Sequence, residues 1–169
     1  GVKPYHVVVK DGVRIAFVGA LTQETSDILK KFGVPMEVRD PAAAVAEVVK
    51  GIQERGEADV IVGLTHLTND EDRLLAQKVP QLDLILGGHE HVIMAEESNG
   101  VLIAKVRNDV QDLGVVDMQL GQADGKTVAQ SVKARPIALD RGIPEDPKVA
   151  KVIQAHEQEF AEKARKVVA

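Results

Sequence analysis

Two continuously apolar runs, "DVIVGLT" at 59–65 and "LDLILGG" at 82–88, constrain this chain more than any other feature. Their β-branched and leucine residues leave no polar alternation, the pattern of strands covered on both faces. Between them lies a helix-length segment beginning near Asp70, an expected cap, and running to about Val79. Strand, helix and strand in that order form a right-handed βαβ unit, so the two strands are expected side by side and parallel. The fold class expected is therefore α/β.

The flanking segments fit the same reading. Asp11-Gly12 separates two β-runs in "HVVVKDGVRIAFVGAL", a two-residue hairpin signal. A short helix is expected over 26–32. A longer one is expected over 41–55, opened by Asp40-Pro41 and carrying Val45, Val48, Val49 and Ile52 on one face. After residue 91 the pattern changes to alternation around Asn99-Gly100 and Asp124-Gly125, read as an antiparallel meander. A turn-rich connector, "DRGIPEDP", leads into an amphipathic helix from 147 to close to Ala169, bearing Val149, Val152, Ile153 and Phe160. The expected division is 1–139 and 140–169. A strand-like segment beginning almost at residue 1 gives the chain the look of an excised piece.

Composition removes several functions. At 169 residues and 44% hydrophobic, the chain suits one domain with its own core, filled by aliphatic side chains because aromatics are only 2%. Scattered basic residues, a net charge of −5 and few stacking rings argue against nucleic acid as a partner. No apolar stretch reaches the roughly 20 residues that span a bilayer, so no membrane partner is expected. The absence of cysteine excludes thiolate chemistry and Cys-ligated zinc.

Both buried strands end in histidine: Thr65-His66, and Gly87-Gly88-His89-Glu90-His91. Loops at the carboxyl ends of parallel strands form the ligand crevice of such sheets, so His66, His89 and His91 are expected at one edge. In an extended stretch His89 and His91 would point the same way, and two glycines would let the backbone turn sharply and approach an ion. Imidazole suits Zn, Fe, Mn-type and Co-type ions. His6 and His156 are set aside, the latter lying in a solvated helix. Nearby carboxylates do not complete a centre: Asp70 to Asp72 read as a helix start favoured by the macrodipole, Glu90 should point away from its neighbours, and Asp109 and Asp112 read as loop residues.

At these residues the chain resembles the 5′-nucleotidase branch of the calcineurin-like metallophosphoesterases. "DVIVGLTHL" matches that family's late strand ending in a metal-binding histidine, and "LDLILGGHEH" its Gly-His-x-His signature. "GVRIAFVGALTQET", "NGVLIAKV" followed by "LGVVDMQL", and "PEDPKV" fall in the family's order, so the similarity runs through essentially the whole chain. The resemblance implies part of an α/β/β/α sandwich, a centre of two divalent ions of Mn, Zn, Co or Fe type, and hydrolysis of nucleotide or related phosphoesters. By position, His66 and His89 would bind one ion and His91 the other. It also implies a periplasmic or extracellular setting.

The family's early motifs, Asp-x-His, Gly-Asp-x-x-Asp and Gly-Asn-His-Asp/Glu, do not occur in these residues. The sequence thus reads as the second half of a catalytic domain with a helix leading towards a substrate domain. Partial or no ion occupancy and no catalysis are expected of this chain alone. A non-catalytic α/β module that self-associates through an uncovered sheet edge is the other reading. A Rossmann-like nucleotide binder is the weakest, because no G-x-G-x-x-G follows a strand.

Overall fold

A computed structural model describes residues 3–168, with side chains through residue 165. The chain divides into two compact units, Gly1–Ala138 and Leu139–Ala169.

The first unit is built on a six-stranded sheet. β1 (Tyr5–Lys10) and β2 (Val13–Leu21) form the Asp11-Gly12 hairpin. Both turn residues have positive φ, as do Asn99-Gly100 and Asp124-Gly125, the backbone that these dipeptides tolerate best. α1 (Glu24–Lys31) and α2 (Pro41–Arg55) carry the chain over to β3 (Val60–His66), parallel to β2. α1 begins two residues earlier than its expected start. Asp40 caps α2 as expected, its Oδ1 accepting from Ala43 N–H at 2.7 Å, and Gly56 ends it in the left-handed conformation.

α3 (Asn69–Lys78) then leads to β4 (Leu84–Gly87), which lies parallel to β3. The expected βαβ unit is thus present. Its helix is capped by Thr68 rather than Asp70: Thr68 accepts from Glu71 N–H, and the Glu71 carboxylate reaches back to Thr68 N–H. That reciprocal pair satisfies two donors at the helix start, which an aspartate already inside the first turn cannot do.

The expected meander divides between two sheets. β5 (Met94–Ser98) and β6 (Val101–Lys105) make the Asn99-Gly100 hairpin, but β6 joins the main sheet parallel to β4. The main order is β1-β2-β3-β4-β6-β5. β7 (Asp112–Ala123) and β8 (Lys126–Ala138) form a separate two-stranded sheet.

The two faces of the main sheet have different covers. Ala16, Val18, Ile61, Ile85 and Ile103 pack with Val45, Val49 and Ile52 of α2 and Leu75 of α3. On the other face, Val60, Val62 and Leu84 pack with Val116, Met118 and Val132 of the β7–β8 sheet. Residues 60–63 are all buried because their strand is sandwiched between the two covers. The first unit therefore has a helix layer, a mixed sheet and an antiparallel pair, which is a mixed α/β fold.

The second unit is the connector from Leu139 and α4 (Pro147–Val168). Asp146 Oδ1 accepts from Lys148 and Val149 N–H, capping α4 as the sequence implies. Ala169, the expected end of the helix, lies outside the described residues.

Candidate metal centre

Strand register brings the histidine segments together. Leu21 stands opposite His66, Thr65 opposite Gly87, and Gly87 opposite Lys105, so β2, β3, β4 and β6 come to adjoining ends at one edge. Backbone hydrogen bonds continue past the strands: Thr22 N–H donates to the His66 carbonyl and Gly88 N–H to the Thr65 carbonyl, each at 3.0 Å.

At that edge His66 Nε2 and His89 Nδ1 face each other at 3.3 Å, the rings meeting edge to face with centroids 5.1 Å apart. The separation suits an ion. Two nitrogens each about 2.0–2.1 Å from a tetrahedral ion stand roughly 3.3–3.4 Å apart. Without an ion, the same geometry lets one ring donate its N–H to the other.

His91 is exposed, and among the described residues no group of three or more His, Asp or Glu side chains could hold a metal ion. The structure brings two of the three histidines together. His89 and His91 also do not alternate along an extended stretch, because both have positive φ, 88° and 55°. Their relative orientation is set by a coiled loop and not by strand periodicity.

The two glycines serve close packing. Neither has positive φ; a Cβ on Gly87 would lie 2.7 Å from Lys105 Cε and 2.8 Å from Asp72 Oδ2, and one on Gly88 would lie 3.3 Å from His66 Nδ1. Gly87 leaves room for a buried ion pair and Gly88 for an imidazole.

That ion pair is the feature the sequence reading missed. Asp72 lies in the first turn of α3, as expected of residues 70–72, but it is fully buried. Its Oδ1 accepts from Thr65 Oγ1 at 2.8 Å, while Oδ2 takes no hydrogen bond but lies 2.8 Å from Lys105 Nζ. The Lys105 side chain is only 1% exposed; its ammonium donates to the Leu67 carbonyl at 2.8 Å and to Glu90 Oε2 at 2.9 Å. Glu90 Oε1 in turn accepts from Asn69 N–H at the start of α3.

Burial raises the Asp72 carboxyl above its ordinary range, against the opposing effects of Lys105 and Thr65. Burial pushes Glu90 the same way, but Lys105 and the Asn69 N–H outweigh it and hold that carboxyl low. Asp112 is likewise no loop residue: it opens β7, is buried, and takes a two-pronged contact from Arg107 at 2.6 and 2.8 Å that lowers its pKa. The signal for these pairs was a basic residue within an apolar strand, Lys105 in "VLIAKV", which calls for a buried counter-charge.

Comparison with known proteins gives the class. The chain is 28% identical over 167 residues to the trifunctional nucleotide phosphoesterase YfkN of Bacillus subtilis, covering 95% of this chain and 11% of that protein. It is 28% identical over 169 residues to the B. subtilis metallophosphoesterase YunD, covering 98% of this chain and 35% of that protein. No protein-family model matches the chain.

Among solved structures, the calcineurin-like phosphoesterase YfkN superposes with a TM-score of 0.82 at 22% identity, over 96% of this chain and 59% of that one. A 5′-nucleotidase precursor from Thermus thermophilus superposes at 0.79 and 22%, over 94% of this chain and 34% of that one. The homologues and structural neighbours of this chain are thus calcineurin-like metallophosphoesterases and 5′-nucleotidases, the family its motifs resemble. The chain spans about a tenth to a third of the length of the two curated relatives and corresponds to a partial domain.

Proposed function

We propose that this chain is the later part of a dinuclear metal-dependent phosphoesterase domain acting on nucleotides or related phosphoesters. The observation that carries the reading is the facing pair His66 Nε2 and His89 Nδ1 at 3.3 Å, on the ends of two parallel strands. In this reading the pair holds one divalent ion and His91 contributes to a second. The names of the relatives, a nucleotide phosphoesterase and a 5′-nucleotidase, supply the substrate class.

Divalent ions held by His66 and His89, with His91, would supply Lewis acidity towards a phosphate and activation of water. What these residues contribute is narrower. His66 and His89 offer two facing ring nitrogens, and Gly88 leaves the space in which the His66 ring sits. The remaining ligands come from residues outside this sequence, as does the substrate pocket. Residues 140–169 are read as a connector and helix towards a substrate domain, and the parent protein as periplasmic or extracellular, on the family resemblance. No helix among the described residues is long and apolar enough to cross a membrane.

Alone, the chain is expected to bind divalent ions weakly and to turn over no phosphoester. The test is titration with Mn²⁺, Co²⁺ or Zn²⁺ alongside an assay on a nucleotide monophosphate and an aryl phosphate. Robust turnover by the pure chain would overturn the expected inactivity, and absence of ion binding would overturn the metal reading.

A second reading, a self-associating module, draws on one observation. β7 and β8 pair only with each other, leaving each an unpaired outer edge among the described residues. A concentration-independent monomer by sedimentation would count against it.

A further inference from the structure

We propose that Lys105 is a positioning residue for the histidine pair. Its single ammonium ties together the immediate neighbours of both imidazoles. The Leu67 carbonyl follows His66, and the Glu90 carboxylate follows His89; Lys105 donates to both, at 2.8 and 2.9 Å. Asp72 Oδ2 lies 2.8 Å from the same ammonium as a buried charge contact without a hydrogen bond.

The arrangement is rigid for reasons visible in the fold. Lys105 stands opposite Gly87 in the sheet register, and its stem crosses the glycine where a side chain would otherwise be. Asp72 is held from its other oxygen by Thr65, the residue before His66. Glu90 is held from its other oxygen by Asn69 N–H, at the start of α3. The loop carrying His89 has positive φ at residues 89 and 91 and no strand partner of its own, so its conformation depends on these side-chain ties. Removing the ammonium frees Glu90 and with it the ring of His89.

This inference rests on the reading that His66 and His89 hold an ion, but the positioning itself is measurable without one.

The test uses the 169-residue chain, Lys105→Met, the charge-neutral double variant Lys105→Met with Asp72→Asn, and Glu90→Gln, which alters the more exposed end of the network. Long-range proton–nitrogen spectra of the imidazoles are recorded without metal, with the exposed His156 on α4 as the reference for a ring outside the pair. Co²⁺ alone is then titrated. In the unaltered chain His66 and His89 should show complementary fixed tautomers. In each folded variant their ring nitrogens should move towards the averaged positions of His156, and Co²⁺ affinity should fall by about tenfold or more.

Averaged rings in the unaltered chain would overturn the proposal. So would unchanged rings and unchanged Co²⁺ affinity in the folded variants, even if melting temperature falls. Paired rings that come apart in the variants, with no Co²⁺ bound by any form, would uphold the positioning role and sink the metal reading instead.

Discussion

Gly87 stands opposite Lys105 in the β4–β6 register, and a Cβ built on the glycine would lie 2.7 Å from Lys105 Cε. Both Lys105 and the other near neighbour, Asp72, are buried and held by partners, so neither can step aside freely. Gly87→Ala should therefore destabilise the fold by about 1–3 kcal/mol, the usual cost of overpacking. Gly88→Ala meets the exposed His66 ring most closely, at 3.3 Å, and should change the unfolding midpoint less while weakening ion binding more. Urea unfolding and a Co²⁺ titration on the two variants separate these effects.

The start of α3 offers a test of a different kind. Thr68→Ala removes the hydroxyl that accepts from Glu71 N–H and should cost about 1 kcal/mol. Asp70→Ala, at the residue the sequence pattern favoured as cap, removes only a solvent-facing partner of Arg73 and should leave the midpoint nearly unchanged. Equal losses would show that the reciprocal cap is not formed.

Asp83 gives a stability change whose sign depends on pH. Burial raises its carboxyl pKa and the hydrogen bond from Ile61 N–H, 2.8 Å, offsets this only partly. A carboxyl with a raised folded-state pKa binds its proton more tightly when folded, so it costs stability as pH climbs through the interval above the ordinary aspartate value, about 3.9. Below that value the cost is absent. Asp83→Asn keeps an acceptor for Ile61, so its unfolding midpoint should exceed that of the unaltered chain at pH 7 and approach it as pH falls towards 4. A lower midpoint at pH 7 would contradict this.

Asp59 should act in the opposite direction. Arg14 holds its carboxyl low through hydrogen bonds from Nε at 3.0 Å and Nη2 at 2.6 Å, joined by Arg14 N–H at 2.8 Å. A lowered folded-state pKa stabilises above the unfolded value, and the stabilisation is lost as pH falls through the folded one. Asp59→Asn should therefore lower the midpoint at pH 7 and change it progressively less below pH 4. The two variants should therefore depart from the unaltered chain in opposite directions at pH 7, and both differences should shrink as pH falls.

Much of this fold is legible in local sequence because its signals are short-range. The Asp11-Gly12, Asn99-Gly100 and Asp124-Gly125 turns need only a dipeptide with tolerance for positive φ, and the 59–65 and 82–88 strands need only an unbroken apolar run. The α2 cap is likewise contained in Asp40-Pro41. The network under the histidines is not local: Asp72 looks like any acidic residue in a first helical turn until β6 passes beside β4 and sets Lys105 across Gly87. For the same reason the conformation of His89 and His91 escaped the strand periodicity that places His66. Their loop lies beyond the last β4 residue, where side-chain ties rather than ladder hydrogen bonds decide direction.

The central claim is that the ends of β3 and β4 hold a divalent ion between His66 and His89. Calorimetric titration of Co²⁺ or Zn²⁺ at neutral pH into the unaltered chain, His66→Ala and His89→Ala addresses it directly. The account predicts weak saturable binding in the unaltered chain and a loss of about tenfold or more in each variant. Binding that is absent from the unaltered chain, or equal in all three, would contradict it.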